Sequence, residues 1–235
     1  MKIIDFFERA YVINLPERKD RLRDMKRELE KVEMPLYSEK VYLFPAIKPD
    51  IADPFKSIGI KGCFLSHYTI LKEARDKNLN NVLIMEDDLA ISSDFSQYTE
   101  IILTQLTQNN WSFVYFGHQL QKQEAIKGSI GQKLYPYYEA IRTAHFYGVN
   151  GTILNSLVTF LELVQQRSPG HPDGGPMNLD GAFSTFRKQN PHLLTLVAVP
   201  SLGGQRSSRS DLSPQWFDTV PGINRIINQA RKLKS

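Results

Sequence analysis

The sequence predicts an α/β fold in which helices flank a largely parallel central sheet. Short apolar runs typical of buried strands alternate with segments of helical period, and no repeat or low-complexity block interrupts them. Of the 235 residues, 41% are apolar and 23% are charged, as in an ordinary globular protein. This composition excludes a mainly disordered chain and is enough to form a buried core.

The first half alternates regularly between the two periods. Residues 82–85 are an uninterrupted apolar run, whereas residues 17–32 place Leu22, Met25 and Leu29 at helical spacing. The predicted elements are, in order, strand 10–15, helix 17–32, strand 41–46, a helix from 61 to about 78, strand 82–85, helix 98–107 and strand 113–116.

The second half is less regular. Residues 168–178 contain three prolines and three glycines and therefore predict a loop. The other predicted elements are an irregular excursion or hairpin over 119–142, strand 145–149, helix 153–164, helix 181–187, strand 193–199 and a Gly/Ser-rich segment over 201–213.

The net charge of +4 comes from the end of the chain. Residues 219–235 hold four basic residues and no acid, which leaves 25 basic and 25 acidic residues in 1–218. We therefore expect a single neutral domain over 1–218 that binds no nucleic acid, followed by a basic C-terminal helix or tail over 219–235. The apolar spacing within 222–235 fits a helix that docks on the protein's own core or rests on an anionic membrane surface.

Cys63 is the only cysteine, so we expect neither a disulfide framework nor a cysteine-based zinc site. The first residues include an acid, unlike a signal peptide, and no apolar run approaches the length of a membrane span. The expected location is the cytoplasm, with a peripheral position at the inner face of the membrane as the alternative.

Three acids, Glu86, Asp87 and Asp88, directly follow the strand 82–85. Ligands of open α/β sheets bind beyond the carboxyl ends of the strands. Because alternate residues of an extended chain point the same way, Glu86 and Asp88 can face one Mg²⁺ or Mn²⁺ ion while Asp87 faces elsewhere. The alternative is a solvated acidic turn.

Two further segments carry candidate ligand-binding residues. After the first strand, Asn14 could bond a base or ribose, while Arg18 and Arg21 could reach phosphates, unless they only form ion pairs along the helix. Gly62 is expected just before a helix, where backbone can approach a ligand, with Ser66 and His67 in its first turns. The alternative for His67 is a structural hydrogen bond.

The ordered segments INLPERKDR, GCFLSH and LIMEDD, within residues 11–90, resemble glycosyltransferase family 25. The resemblance implies a GT-A-like nucleotide-binding fold, a UDP-sugar donor, a divalent metal held by a DXD-like motif, and transfer with inversion. It also implies that Glu86 and Asp88 bind the metal. Asn14, Arg18, Arg21, Gly62, Ser66, His67 and Asp87 would then bind the nucleotide sugar.

An inverting transfer also needs a base that removes the proton of the acceptor hydroxyl. Asp180 is the candidate, with Asp173 and Glu162 as rivals and a helix N-cap as its alternative role. Arg206 lies in a Ser/Arg-rich segment, 205–211, that could close over the donor diphosphate or be ordinary surface. His118, His145 and His171 are expected to be satisfied or exposed histidines without a metal.

The expected function is transfer of galactose or another hexose from a UDP-sugar to a glycan or to a lipid-linked saccharide. The alternatives are a nucleotide-sugar hydrolase or nucleotidyltransferase, and a non-catalytic nucleotide-sugar-binding domain. The sequence does not identify the donor sugar or the acceptor.

Overall fold

The structure, a computed structural model, describes residues 2–122 and 131–206. The strands are β1 (Arg9–Asn14), β2 (Val41–Pro45), β3 (Asn81–Glu86), β4 (Leu89–Ile91), β5 (Trp111–Leu120), β6 (Leu134–Pro136), β7 (Ile141–Asn150), β8 (Leu194–Ala198) and β9 (Gly203–Gln205). The helices are α1 (Ile3–Phe6), α2 (Lys19–Lys31), α3 (Ile58–Asp76), α4 (Phe95–Gln108), α5 (Leu154–Gln166) and α6 (Leu179–Gln189), with a 3₁₀ turn at Gly151–Ile153.

The central sheet has the order β2-β1-β3-β7-β5-β8-β6, with β4 and β9 paired at its side. β1 pairs in parallel with β2 and β3, and β5 pairs in parallel with β8. β7 runs antiparallel to both β3 and β5, so β3 and β5 point the same way. The predicted α/β fold with a largely parallel sheet flanked by helices is therefore confirmed.

Two apolar layers cover the sheet. One packs α3, α5 and α6 against one face, with Phe64, Leu157 and Phe183 among its buried residues. The other packs α1, α2 and α4 against the opposite face, through Ile3, Leu29 and similar residues. Neighbouring residues of β1 and β3 alternate between the two layers, because successive side chains of a strand point to opposite faces.

The structure corrects one detail of the sequence prediction and specifies two others. α3 begins at Ile58, because the Ser57 hydroxyl caps it by accepting the Ile60 backbone N–H at 3.2 Å. Gly62 therefore lies inside the helix and not before it. The excursion between β5 and β7 is anchored as an antiparallel hairpin, with Leu120 opposite Ile141. The Gly/Ser-rich segment contains the short strand β9.

The structure leaves the basic tail of the sequence prediction untested. The tail, 219–235, and the part of the proposed lid beyond Arg206 lie outside the described residues. Within the described part of the chain, every helix is too short or too polar to cross a bilayer.

Candidate active site at the carboxyl edge of the sheet

A cavity of about 360 Å³ opens where β1 and β3 end. Because these strands are parallel neighbours, Ile13 lies opposite Glu86 and the segments that follow both strands meet at one edge. The cavity is lined by the β1–α2 connection, the segment after β2, α3, the acids at the end of β3, and the last residue of β9. The lining residues include Arg21, Lys48, Gly62, Cys63, Ser66, His67, Glu86, Asp87, Asp88 and Gln205.

Two residues of the segment INLPERKDR hold the Asp87 carboxylate in place by hydrogen bonds. Its Oδ2 accepts a 2.6 Å hydrogen bond from Asn14 Nδ2, and its Oδ1 accepts one of 3.0 Å from Arg21 Nη1. Burial nevertheless raises the pKa of Asp87 above its ordinary value, although Arg21 and Asn14 act in the opposite direction. The side chains of Asn14 and Arg21 therefore donate hydrogen bonds to a carboxylate of the protein itself.

Asp88 has the most unusual environment of the three acids. Its Oδ2 lies 4.0 Å from Arg21 Nη1, and its buried Oδ1 has no hydrogen-bond partner among the described residues. Burial, together with the neighbouring Glu86 carboxylate, raises the pKa of Asp88 to about 7. A buried carboxylate oxygen without a donor is what a bound cation would satisfy.

Glu86 faces α3. Its Oε1 lies 3.3 Å from His67 Nε2 and 3.7 Å from Cys63 Sγ, and its Oε2 accepts a 3.4 Å hydrogen bond from Gln205 Nε2. Burial by itself raises the pKa of Glu86. The hydrogen bond from His67 and the charges of nearby histidines lower this pKa by a larger amount, so the net shift is downward. Glu86 therefore holds the negative charge more readily than Asp88.

The α3 wall is shaped by close packing against the segment after β2. A Cβ on Gly62 would lie 2.5 Å from the Ile47 carbonyl oxygen, so only glycine permits this approach. Ser66 Oγ donates to the Gly62 carbonyl at 2.7 Å and accepts the Ile47 N–H at 2.8 Å. Gly62 and Ser66 thus hold the wall in place. His67 Nδ1 is hydrogen-bonded to the buried Tyr147 hydroxyl at 2.8 Å.

Two predicted phosphate-binding arginines point elsewhere. The Arg18 guanidinium pairs with Asp20 at 3.0 Å, while its carbonyl accepts a hydrogen bond from Asn14. Arg206 Nη2 pairs with the buried Glu28 at 2.8 Å, and its backbone N–H donates to the Asp88 carbonyl at 2.7 Å. Neither side chain is among those that line the cavity.

Asp180 lies in the first turn of α6, where Asn178 and not Asp180 is the N-cap. Its Oδ2 accepts the Thr143 N–H at 3.3 Å, and its Oδ1 accepts the Gly181 N–H at 2.9 Å. Thr143 has a φ of 66°, a strained conformation for a β-branched residue. Asp180 is not among the residues that line the cavity.

The rival bases are engaged or remote. Glu162 accepts a hydrogen bond from Tyr68 at 3.1 Å and pairs with Arg75 at 3.5 Å, and Asp173 is exposed on the loop before α6. His145 is satisfied as expected, by Thr143 Oγ1 and the Gly203 carbonyl.

The sequence prediction missed four residues at the site. Cys63, Lys48 and Gln205 line the cavity, and Tyr147 supports His67 from behind. Cys63 and Gln205 stood in segments already singled out for ligand binding, GCFLSH and 205–211. Tyr147 lies on the antiparallel strand β7, opposite Ile84 of β3, and no local pattern connects it with α3.

The family model of glycosyltransferase family 25, described as LPS biosynthesis protein, matches residues 7–140. Procollagen galactosyltransferase 1-A of Xenopus laevis is 31% identical over 131 residues, which cover 48% of this chain and 21% of that protein. Procollagen galactosyltransferase 2 of Homo sapiens is 30% identical over the same length, with the same coverage of both chains.

A third relative carries a different description. The inactive glycosyltransferase 25 family member 3 of Homo sapiens is 29% identical over 146 residues, covering 53% of this chain and 24% of that protein. This chain thus spans about a fifth to a quarter of the length of these relatives. The solved structure of a glycosyltransferase involved in the glycosylation of the major capsid of PBCV-1 aligns with a TM-score of 0.42 and 12% identity, over 70% of this chain and 67% of that one. With more than half of its residues matched by the family model, the chain belongs to glycosyltransferase family 25.

Proposed function

We propose that this glycosyltransferase moves galactose or another hexose from a UDP-sugar to a saccharide hydroxyl, with inversion and with the help of a divalent metal. The observation that carries the proposal is the buried Oδ1 of Asp88, which has no hydrogen-bond partner within residues 2–122 and 131–206. Asp88 follows Glu86 and lines the same cavity between β1 and α3. Family membership supports the transfer reaction, and the proposal adds the donor, the metal and the stereochemistry.

The residues present fit a divalent cation. Asp88 and Glu86 offer hard carboxylate oxygens of the kind that Mg²⁺ and Mn²⁺ prefer, and Asp88 lacks a donor for one of them. When bound, such an ion would neutralise charge on the leaving diphosphate. Asp87 is occupied by Asn14 and Arg21, so we assign Glu86 and Asp88 as its ligands.

The donor site is proposed along the β1–α2 connection and the α3 wall. Asn14 and Arg21 act by holding Asp87 at the cavity, and Gly62 and Ser66 act by holding the wall against Ile47. Lys48 lines the same cavity with an exposed ammonium group, whose Nζ lies 3.1 Å from Glu17 Oε1. A solvated lysine ammonium group in this position is suited to binding the negative charge of a diphosphate.

We propose Asp180 as the base that takes the proton of the acceptor hydroxyl. The Thr143 and Gly181 backbone N–H groups fix the orientation of its carboxylate, which precise in-line attack requires. As the acceptor we propose a saccharide or a lipid-linked saccharide, and as the location the cytoplasmic face of a membrane. Both suggestions rest on the family and on the basic, apolar pattern of residues 222–235.

The experiment is a panel of nucleotide sugars assayed with and without Mn²⁺ or Mg²⁺, by thermal stabilisation and by release of the nucleotide. We expect one UDP-hexose to stabilise the protein and to be turned over only with metal, faster when a saccharide acceptor is present. Turnover that is fastest without any acceptor would instead indicate a hydrolase. Binding without turnover would indicate a non-catalytic domain, and a relative described as inactive motivates this alternative.

A further inference from the structure

Three different ligand atoms converge on the α3 side of the cavity. They are Cys63 Sγ, His67 Nε2 and Glu86 Oε1, and all lie within 4.8 Å of one another. Cys63 and His67 are one helical turn apart on α3, so both side chains face the end of β3. A single cysteine predicted no cysteine-based zinc site, but in the structure Cys63 lies beside a histidine and a glutamate.

Two of the three separations are close to the edges of a tetrahedron around zinc, and the third, between Cys63 Sγ and His67 Nε2, is within 4.8 Å. Zinc lies about 2.0–2.1 Å from a histidine nitrogen or carboxylate oxygen and about 2.3 Å from a cysteine sulfur. A nitrogen–oxygen edge is therefore about 3.3–3.4 Å long and a sulfur–oxygen edge about 3.6 Å. His67 Nε2 and Glu86 Oε1 are 3.3 Å apart, and Cys63 Sγ and Glu86 Oε1 are 3.7 Å apart. The group is close to ligand geometry before any ion binds.

Tyr147 supplies the outer contact that metal-binding histidines usually have. Its hydroxyl lies 2.8 Å from His67 Nδ1, within a buried ring stack of the two side chains. Without metal, the hydrogen bond to Glu86 places the ring proton on Nε2. When a metal takes that position, the ring proton lies on Nδ1 and is donated to the Tyr147 hydroxyl, so Nε2 offers its lone pair to the metal. The histidine ring is 1% exposed, so its orientation is fixed by packing.

We propose that Cys63, His67 and Glu86 form a binding site for zinc or a similar thiophilic divalent cation, with the fourth position open to the cavity. Binding forms a bond from the metal to Cys63 Sγ and releases the thiol proton to solvent, while His67 binds as the neutral imidazole and Glu86 as the carboxylate. The site is distinct from the carboxylate pair proposed for Mg²⁺ or Mn²⁺, but it shares Glu86 with that pair. The two metals therefore compete.

The direct test is a titration of the metal-free full chain with Co²⁺, a spectroscopic substitute for zinc. We expect a sulfur-to-cobalt charge-transfer absorption that reaches its maximum at one equivalent and disappears when Zn²⁺ displaces the cobalt. Because Cys63 is the only cysteine, this absorption has one possible source. Its absence from the folded wild-type chain would overturn the proposal.

Variants assign the three ligands. C63S should remove the charge-transfer band, H67A and E86Q should each weaken zinc binding at least tenfold, and Y147F should weaken it by about 10–100-fold. The control is H171A, because His171 lies on the loop before α6 and lines no part of the cavity. Zinc affinity unchanged in both H67A and E86Q would reject the three-ligand site.

A measurement on the wild type covers the case in which a variant fails to fold. Stoichiometric Zn²⁺ should protect the single thiol from alkylation, as read by the mass of the intact protein, whereas Mg²⁺ should not. Equal alkylation with and without Zn²⁺ would overturn the site.

The competition for Glu86 rests on the proposed function and has its own readout. Zn²⁺ should inhibit Mn²⁺-dependent donor turnover, and added Mn²⁺ should relieve the inhibition. Failure to detect any turnover would count against the proposed function but would leave the cobalt result valid. A missing cobalt band would overturn the zinc site but would leave the proposed function valid.

Discussion

Asn14 Nδ2 donates a 2.6 Å hydrogen bond to Asp87 Oδ2, although 73 residues separate the two in the chain. Asn14 ends β1 and Asp87 follows β3, and both side chains are buried. The bond therefore ties together the carboxyl ends of two neighbouring strands. Through it, the segment at the end of β1 fixes the position of the acidic segment at the end of β3.

Replacing Asn14 with Ala should destabilise the protein and disturb the site together. A buried carboxylate oxygen would lose its donor, which costs about 1–3 kcal/mol, and Asp87 would be free to turn. We expect this loss in urea unfolding, with weaker UDP binding by calorimetry. N109A, at the exposed end of α4, is the control. Wild-type stability of N14A would contradict a structural role for this bond.

Arg21 and Asp87 should behave as one unit. Both side chains are largely buried, at 12% and 8% exposed. Removing the cation in R21Q therefore leaves the buried Asp87 carboxylate without the positive charge that stabilises it. Breaking such a pair costs about 3–5 kcal/mol. In a double-mutant cycle we expect R21Q/D87N to be clearly less destabilised than the sum of the single variants. Strict additivity would show that the pair is not coupled.

Asp88 should make the stability of the metal-free protein depend on pH. Its pKa rises from an ordinary value of 3.8 to about 7 on folding, so between these values the folded state binds more protons than the unfolded state. The free energy of unfolding therefore falls as pH rises through this window. D88N lacks this contribution, so its stability relative to wild type should increase from about pH 4 and level off above about pH 7, by at most about 4 kcal/mol.

Chemical denaturation of wild type and D88N at several pH values measures this difference. D94N is the control, because Asp94 lies at the start of α4, away from the cavity. A difference between D88N and wild type that does not change with pH would contradict the shifted pKa.

Adding one methyl group at Gly62 should damage the cavity wall. The new Cβ would lie 2.5 Å from the Ile47 carbonyl oxygen, a backbone atom that cannot turn away, so α3 or the segment after β2 must move. We expect G62A to lose about 1–3 kcal/mol of stability and to bind UDP more weakly. G204A is the matched control, since no heavy atom lies within 4 Å of its added Cβ.

Substitution of Asp180 should separate chemistry from donor binding. D180N keeps the size of the side chain and its acceptor oxygen for one backbone N–H, but removes the charge needed to take a proton. Transfer should fall by about 10²–10⁴-fold, while the dissociation constant of UDP with Mn²⁺ stays within a few-fold of wild type. D173N, on the exposed loop, should be unaffected. Near-normal transfer by D180N would remove Asp180 from the role of base.

Local patterns predicted the elements that hold the site. The apolar run before Glu86 and the helical period after Asn14 placed β3, β1 and α2 within a few residues of their observed bounds. These segments are recognisable because each buries a continuous stripe or run of apolar residues. The position of the acids at the carboxyl edge then follows from parallel pairing.

The features that the sequence did not predict depend mainly on contacts between residues that are far apart in the chain. The direction of β7, and with it the contact of Tyr147 with His67, depends on which strands meet across the sheet. The start of α3 was misjudged because the Ser57 cap precedes the first apolar positions of the helix. The side chain of Arg206 turns to a buried Glu28 on α2, a pair separated by most of the chain.

The antiparallel course of β7 has an evolutionary consequence. β5 ends and β7 begins at the carboxyl edge, with Leu120 opposite Ile141, so the chain between them departs from and returns to the side of the sheet that carries the cavity. Insertions or deletions within this connection would leave the register of the two strands unchanged, because Leu120 and Ile141 pair at its base. This side of the sheet could thus diversify between relatives while the scaffold that holds the acids is inherited unchanged.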